Sequence, residues 1–221
     1  MTPEIFSCEQ GSPEWVRLRL GIPTTSEFKS ILAKGEGKMR WTYLLKLLGE
    51  RLTGEPADSY SNEHMERGKV MEAEARDMYA FMADAEPVRV GFIRNGEAGC
   101  SPDSLIGDAG LLEIKTKLPH LQLEAIFADK LPPEHQAQIQ GQLWVAGREW
   151  CDFVSYWPRL PLFVKRVPRD ETYIKTLADE VQRFLTDLHS LQSRLAGEKP
   201  HGTPPAPLAM FVDLNKTAPV F

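Results

Sequence analysis

Apolar residues recur along this chain in two periods, and the change from one to the other sets the expected order of elements. Ser12-Pro13-Glu14 offers a capping hydroxyl, a first-turn proline and an acid at the positive helix end. It predicts a short helix through Leu20, closed by Gly21. Thr24-Thr25-Ser26-Glu27 fits a capping box, and the helix it opens is expected to reach Ala33, before Gly35 and Gly37. A third helix is predicted over 41–52, ahead of Gly54-Glu55-Pro56. Met71, Ala75, Met78, Tyr79 and Met82 then fall at helical spacing and predict a longer helix over 62–82.

Beyond Pro87 the period drops to two. Val88, Val90 and Phe92 alternate with Arg89 and Gly91, as in a half-buried strand. Two further apolar runs, 99–106 and 111–115, flank Gly107-Asp108-Ala109-Gly110 and predict an antiparallel hairpin. Helices over 120–129 and 134–146, strands over 151–157 and 162–167, and an amphipathic helix over 172–195 complete the pattern. Helices, strands, helices, strands, helix is the order of an α/β (α+β) domain with a central mixed sheet flanked by helices. Residues 1–196 read as one domain, and 197–221, rich in proline and glycine, as a tail without regular structure.

Composition narrows the field. With 42% hydrophobic and 26% charged residues among 221, wholesale disorder is excluded. No run approaches the roughly 18–20 apolar residues of a membrane span, so no membrane partner is expected. Met1-Thr2-Pro3-Glu4 has no signal-peptide character, and Cys8, Cys100 and Cys151 lack disulfide or metal spacing. Both point to the reducing cytoplasm. The net charge of −5 argues against general coating of nucleic acid. Yet residues 17–51 hold eight basic residues against three acidic ones, a net +5. That window is open to two readings, a phosphate-facing surface or a hairpin of solvated lysines.

The hairpin carries the most informative chemistry. Glu113 and Lys115 stand two apart on one strand and so project to one face, and the turn brings Asp103 alongside. Leu111, Leu112 and Ile114 surround these charges, in a setting where an unpaired charge costs several kcal/mol. Two converging carboxylates make a hard-oxygen site suited to Mg²⁺ or Mn²⁺, with the lysine able to orient water and stabilise charge on a phosphoryl oxygen. A salt bridge on a solvated sheet face is the competing reading.

Pro102-Asp103 with Glu113-Ile114-Lys115 resembles the PD-(D/E)xK nuclease motif. Extended to Cys100-Ser101-Pro102-Asp103 and Leu112-Glu113-Ile114-Lys115, it is similar to the family of phage lambda exonuclease and the YqaJ-type viral recombinases, related to viral alkaline exonucleases. Three more segments agree in chain order: Trp15 to Glu27, with Arg19-Leu20-Gly21 and Thr25-Ser26-Glu27; Gly68-Lys69-Val70-Met71-Glu72; and Ala137 to Val145.

The resemblance implies a restriction-endonuclease-like core and a Mg²⁺-dependent exonuclease with two ions per site, for which Mn²⁺ substitutes. Such an enzyme digests one strand of linear duplex DNA 5′→3′ to mononucleotides. A homotrimeric ring, duplex ends bearing 5′-phosphates, a single-strand annealing protein as partner and a bacterial cytoplasmic setting, phage or prophage, are implied with it. In the matched positions Asp103, Glu113 and the Ile114 carbonyl are metal ligands, Lys115 holds or activates the attacking water, and Glu72 positions a metal-bound water. Arg19, Ser26, Ser101 and Gln138 bind the 5′-phosphate, Met65 is a strand-separating wedge, and Trp15 stacks near DNA. His135 stands where the best-known relative has tyrosine, which leaves its role open. Local sequence keeps plainer readings alive for several of these: capping for Ser26, surface ion pairs for Arg19 and Glu72, core packing for Met65 and Trp15. The alternative activity is that of a PD-(D/E)xK endonuclease, restriction-like or junction-cleaving.

Overall fold

A computed structural model describes residues 2–33, 38–57 and 63–197, without the side chains of 63–67 and 69. Seven α-helices and eight strands form two sheets among these residues. The larger sheet has the order β2 (Pro87–Val88), β5 (Ser104–Ile106), β6 (Gly110–Thr116), β7 (Trp150–Tyr156), β8 (Phe163–Pro168). Only the β6–β7 pair is parallel; the other pairs run antiparallel, so the expected mixed sheet is present. The smaller sheet is β1 (Glu4–Phe6), β3 (Phe92–Asn95), β4 (Ala98–Cys100), all antiparallel.

Two runs expected as single strands are divided between these sheets. Val88 pairs in the large sheet and Phe92 in the small one. The 99–106 run breaks at Ser101-Pro102-Asp103, with β4 on one side and β5 on the other. Alternation records which face is apolar but not which neighbour supplies the hydrogen bonds. β1 has no counterpart in the sequence reading, being three residues paired only to β3. The β5–β6 hairpin is as expected, with Ser104 opposite Leu112 and Gly107 supplying a positive φ of 51° in the turn.

Helices cover both faces of the large sheet. α4 (Glu63–Ala83) lays Met71, Ala75 and Tyr79 against Leu112, Ile114 and Val154. Met78 and Met82, expected on that stripe, are exposed instead, because the apolar face follows the four-residue spacing of 71, 75 and 79. On the opposite face, α6 (Gln136–Ala146) and α7 (Glu171–Leu195) pack in one core with Leu111, Phe153 and Val167. α2 (Phe28–Leu32) and α3 (Lys38–Thr53) complete this layer, and α5 (Pro119–Ala128) lies between β6 and α6 in the chain.

α1 (Pro13–Arg19) starts as expected, the Ser12 hydroxyl accepting from the Trp15 N–H. The capping box does not form. Thr24 makes no side-chain cap; its N–H donates to the Tyr43 hydroxyl, and a 3-10 turn over Thr25–Glu27 leads into α2. A tertiary partner thus overrides the local one. Gly141 lets α6 come close to α2: a methyl there would sit 2.6 Å from the fully buried Phe28 ring and 3.1 Å from Thr25. No described helix is long and apolar enough to cross a membrane. Met65 lies in α4, but its side chain, like the tail from 198, is outside the described residues.

Candidate active site

β6 places its side chains alternately, Leu112 and Ile114 towards α4, Leu111 and Glu113 towards α6. Glu113 is only 3% exposed, and each of its oxygens has a donor. Oε1 accepts from Gln138 Nε2 at 2.6 Å and pairs with Lys115 Nζ at 2.7 Å; Oε2 accepts from Gln142 Nε2 at 2.6 Å. Asp103 comes from the crossing between the two sheets. Its N–H donates to the Leu112 carbonyl, and its Oδ2 accepts from the Ile114 N–H at 2.5 Å. One hairpin therefore carries both carboxylates, Asp103 held by its backbone and Glu113 by side-chain donors.

Negative charge exceeds what these partners neutralise. Burial, then the nearby charges of Glu113 and Glu72, push the Asp103 carboxyl well above its ordinary range. Burial works against the Lys115 ammonium, but Glu113 and Asp103 outweigh it and hold Lys115 above its usual value. Glu72, on α4, pairs with Arg76 at 2.5 Å, and Arg76 reaches the Ser104 hydroxyl at 3.1 Å. That is the plainer ion pair, although Glu72 still contributes to the field on Asp103 and Lys115. No three His, Cys, Asp or Glu side chains converge as a metal cluster among the described residues. What the hairpin offers is two carboxylates in charge excess. This all-oxygen donor set fits a hard divalent cation and not zinc.

A second group of residues lines a cleft of about 220 Å³ that includes Trp15, Arg19, Thr24, Ser26 and Tyr43. Ser101 ties it to the hairpin, since its Oγ accepts from Trp15 Nε1 at 2.9 Å and from Arg19 Nη1 at 3.4 Å. The Arg19 guanidinium lies 4.0 Å over the Trp15 ring. One face of the Trp15 indole thus carries the arginine. Ser26 sits in the 3-10 turn, its Oγ 3.3 Å from Thr24 Oγ1, and not in the first turn of a capped helix. Gln138, grouped by resemblance with Arg19, Ser26 and Ser101, donates to Glu113. The basic window is partly consumed by pairs with the body, Arg40 with Asp187 and Arg51 with Glu97.

Two residues to which the resemblance assigns no role join the site: Gln142, one turn from Gln138 on a polar helix face, and Arg76, one turn from Glu72.

Residues 14–149 match the model of the YqaJ-like viral recombinase domain, well over half the chain. The chain belongs to this family. Among solved structures, it is similar to the alkaline exonuclease LHK-Exo from Laribacter hongkongensis, at 35% identity and TM-score 0.78, covering 84% of this chain and 97% of that one. LHK-Exo in complex with dAMP matches at 36% identity, again with TM-score 0.78, over 84% and 98% of the two chains. A phage-related exonuclease from Haemophilus somnus 129PT shares the fold, at 13% identity and TM-score 0.57 over 81% and 97%. No curated protein matches. The expected family, fold and enzyme class, a deoxyribonuclease, all hold.

Proposed function

We propose that this nuclease is a Mg²⁺-dependent 5′→3′ exonuclease, digesting one strand of linear duplex DNA to 5′-mononucleotides. The observation that carries the reading is the pair of half-buried Asp103 and buried Glu113, in charge excess on one hairpin. Asp103, Glu113 and the Ile114 carbonyl would hold two Mg²⁺ ions, with Mn²⁺ as substitute. When bound, the ions stabilise the entering and leaving oxygens of an in-line displacement. Lys115 orients the attacking water and stabilises charge on the phosphoryl oxygen; Glu72, held by Arg76, positions that water from the α4 side. Gln138 and Gln142 orient the Glu113 carboxylate.

Arg19, Ser101 and Ser26 supply the cation and hydroxyls for a terminal 5′-phosphate, with Trp15 fixing the guanidinium plane. The dAMP bound by LHK-Exo is a nucleoside monophosphate, the product class proposed here. The remaining 3′ strand would pass to a single-strand annealing protein, and a homotrimeric ring would keep the duplex threaded.

The test compares linear 5′-phosphorylated duplex with covalently closed circles, with Mg²⁺ and with chelator. Linear DNA is expected to be consumed only with metal, circles to survive, and Asp103→Asn to lose on the order of 10³-fold in rate. Cutting of closed circles would replace this reading with the endonuclease one.

A further inference from the structure

Lys117 extends the β6 ladder by one residue, its N–H donating to the Tyr156 carbonyl at 3.0 Å. Standing two residues beyond Lys115, it shares the face of Glu113 and Lys115. Its side chain is only 16% exposed, and its Nζ lies 2.9 Å from His135 Nε2 and 3.2 Å from Glu134 Oε1. His135, just before α6, is also covered and packs its ring on Phe153 at 5.1 Å. An ammonium can donate to imidazole only if that ring is neutral. Burial first, then the charges of Lys117 and Lys115, bring His135 down to about 4, with Lys29 adding to the same field. Three lysines thus act on one uncharged ring. Lys115 is answered by buried Glu113, but the carboxylate answering Lys117 belongs to Glu134, which is 55% exposed. An ammonium largely stripped of water, fixed by a neutral acceptor and countered only by a solvated carboxylate, favours a stronger anion arriving from solvent.

We propose that Lys117, held in position by His135, binds a backbone phosphate of the DNA beside the cleaved linkage, and that Glu134 is the counter-ion this phosphate displaces. The inference rests on the nuclease reading and adds a contact that none of its assigned residues supplies. His135 is a positioning residue. Its Nε2 removes rotamer freedom from a long side chain before DNA arrives.

The experiment follows binding of a labelled linear duplex to the full chain by anisotropy, in chelator and across a salt series. Lys117→Met is expected to weaken binding about tenfold and to reduce the slope of log K against log salt by about 0.9, the value of one phosphate contact. Glu134→Gln removes the competitor and is expected to tighten binding roughly threefold, an opposite sign that a structural Lys117–Glu134 pair cannot give. His135→Phe keeps the ring on Phe153 but loses the acceptor, so binding weakens, and His135→Gln restores part of it. An unchanged slope in Lys117→Met, or weaker binding in Glu134→Gln, overturns the proposal. Wild-type protein that binds with the Lys117-dependent slope yet never cleaves with Mg²⁺ supports this contact while sinking the exonuclease. Wild-type protein that does not bind duplex sinks both.

Discussion

Glu113 depends on three donors from two elements, and they are not equivalent. Lys115 supplies charge, while Gln138 and Gln142 supply direction, and Gln142 alone serves Oε2. The Gln142 Oε1 is the one buried side-chain polar atom without a partner among the described residues, so this amide is kept in place at a cost. Gln142→Leu removes the orphan but leaves the buried Glu113 Oε2 without its donor, so it should cost about 1–3 kcal/mol of stability. It should raise the Mg²⁺ concentration needed for half-maximal cleavage by about 10–100-fold, as measured by metal titration. Unaltered metal dependence would assign Gln142 to packing alone. The charges themselves were legible in the sequence, because Glu113 and Lys115 interrupt an apolar strand. Their amide partners were not, because a polar stripe at i and i+4 looks the same whether it meets water or a buried carboxylate.

Among the elements, α4 packs directly on the β6 strand of the hairpin, so its seating bears on the site. Two turns beyond Glu72, the buried Tyr79 hydroxyl donates to Asp152 Oδ2 at 2.7 Å, and Arg166 closes the other side of that carboxylate with bonds of 2.9 and 2.8 Å. Arg166 in turn lies 3.7 Å over the Trp150 ring. Tyr79→Phe leaves the Asp152–Arg166 pair whole and should cost about 1 kcal/mol in chemical denaturation. Asp152→Ala strands a buried hydroxyl and should cost about 2–3 kcal/mol, with a larger loss of cleavage as α4 and Glu72 loosen. Equal effects on stability from the two variants would show that the hydroxyl, not the carboxylate, carries the anchor. Element type and order were readable from periodicity, and the hairpin from its turn residues. The division of 88–92 and 99–106 between two sheets was not, because pairing partners are chosen by tertiary packing. The capping box failed for a related reason: Tyr43, from α3, offers Thr24 a bond that no local pattern reveals.

At the scale of the molecule, the cleft proposed for a terminal phosphate is built from α1, the 3-10 turn and Ser101, and the carboxylate pair from the β5–β6 hairpin. α6 spans the two, touching Glu113 through Gln138 and Gln142 and approaching Phe28 and Thr25 at Gly141. In the proposed function, α6, packed closely at Gly141, holds the spacing between the cleft for a strand's end and the hairpin for its cleavage, as a gauge. In Gly141→Ala the fully buried Phe28 ring leaves little room for the added methyl, so the substitution should shift the gauge and not merely weaken the grip. Chromatography of the digest would then show dinucleotides beside the single-unit product, whereas a slower but uniform digest would mean that the ruler lies elsewhere.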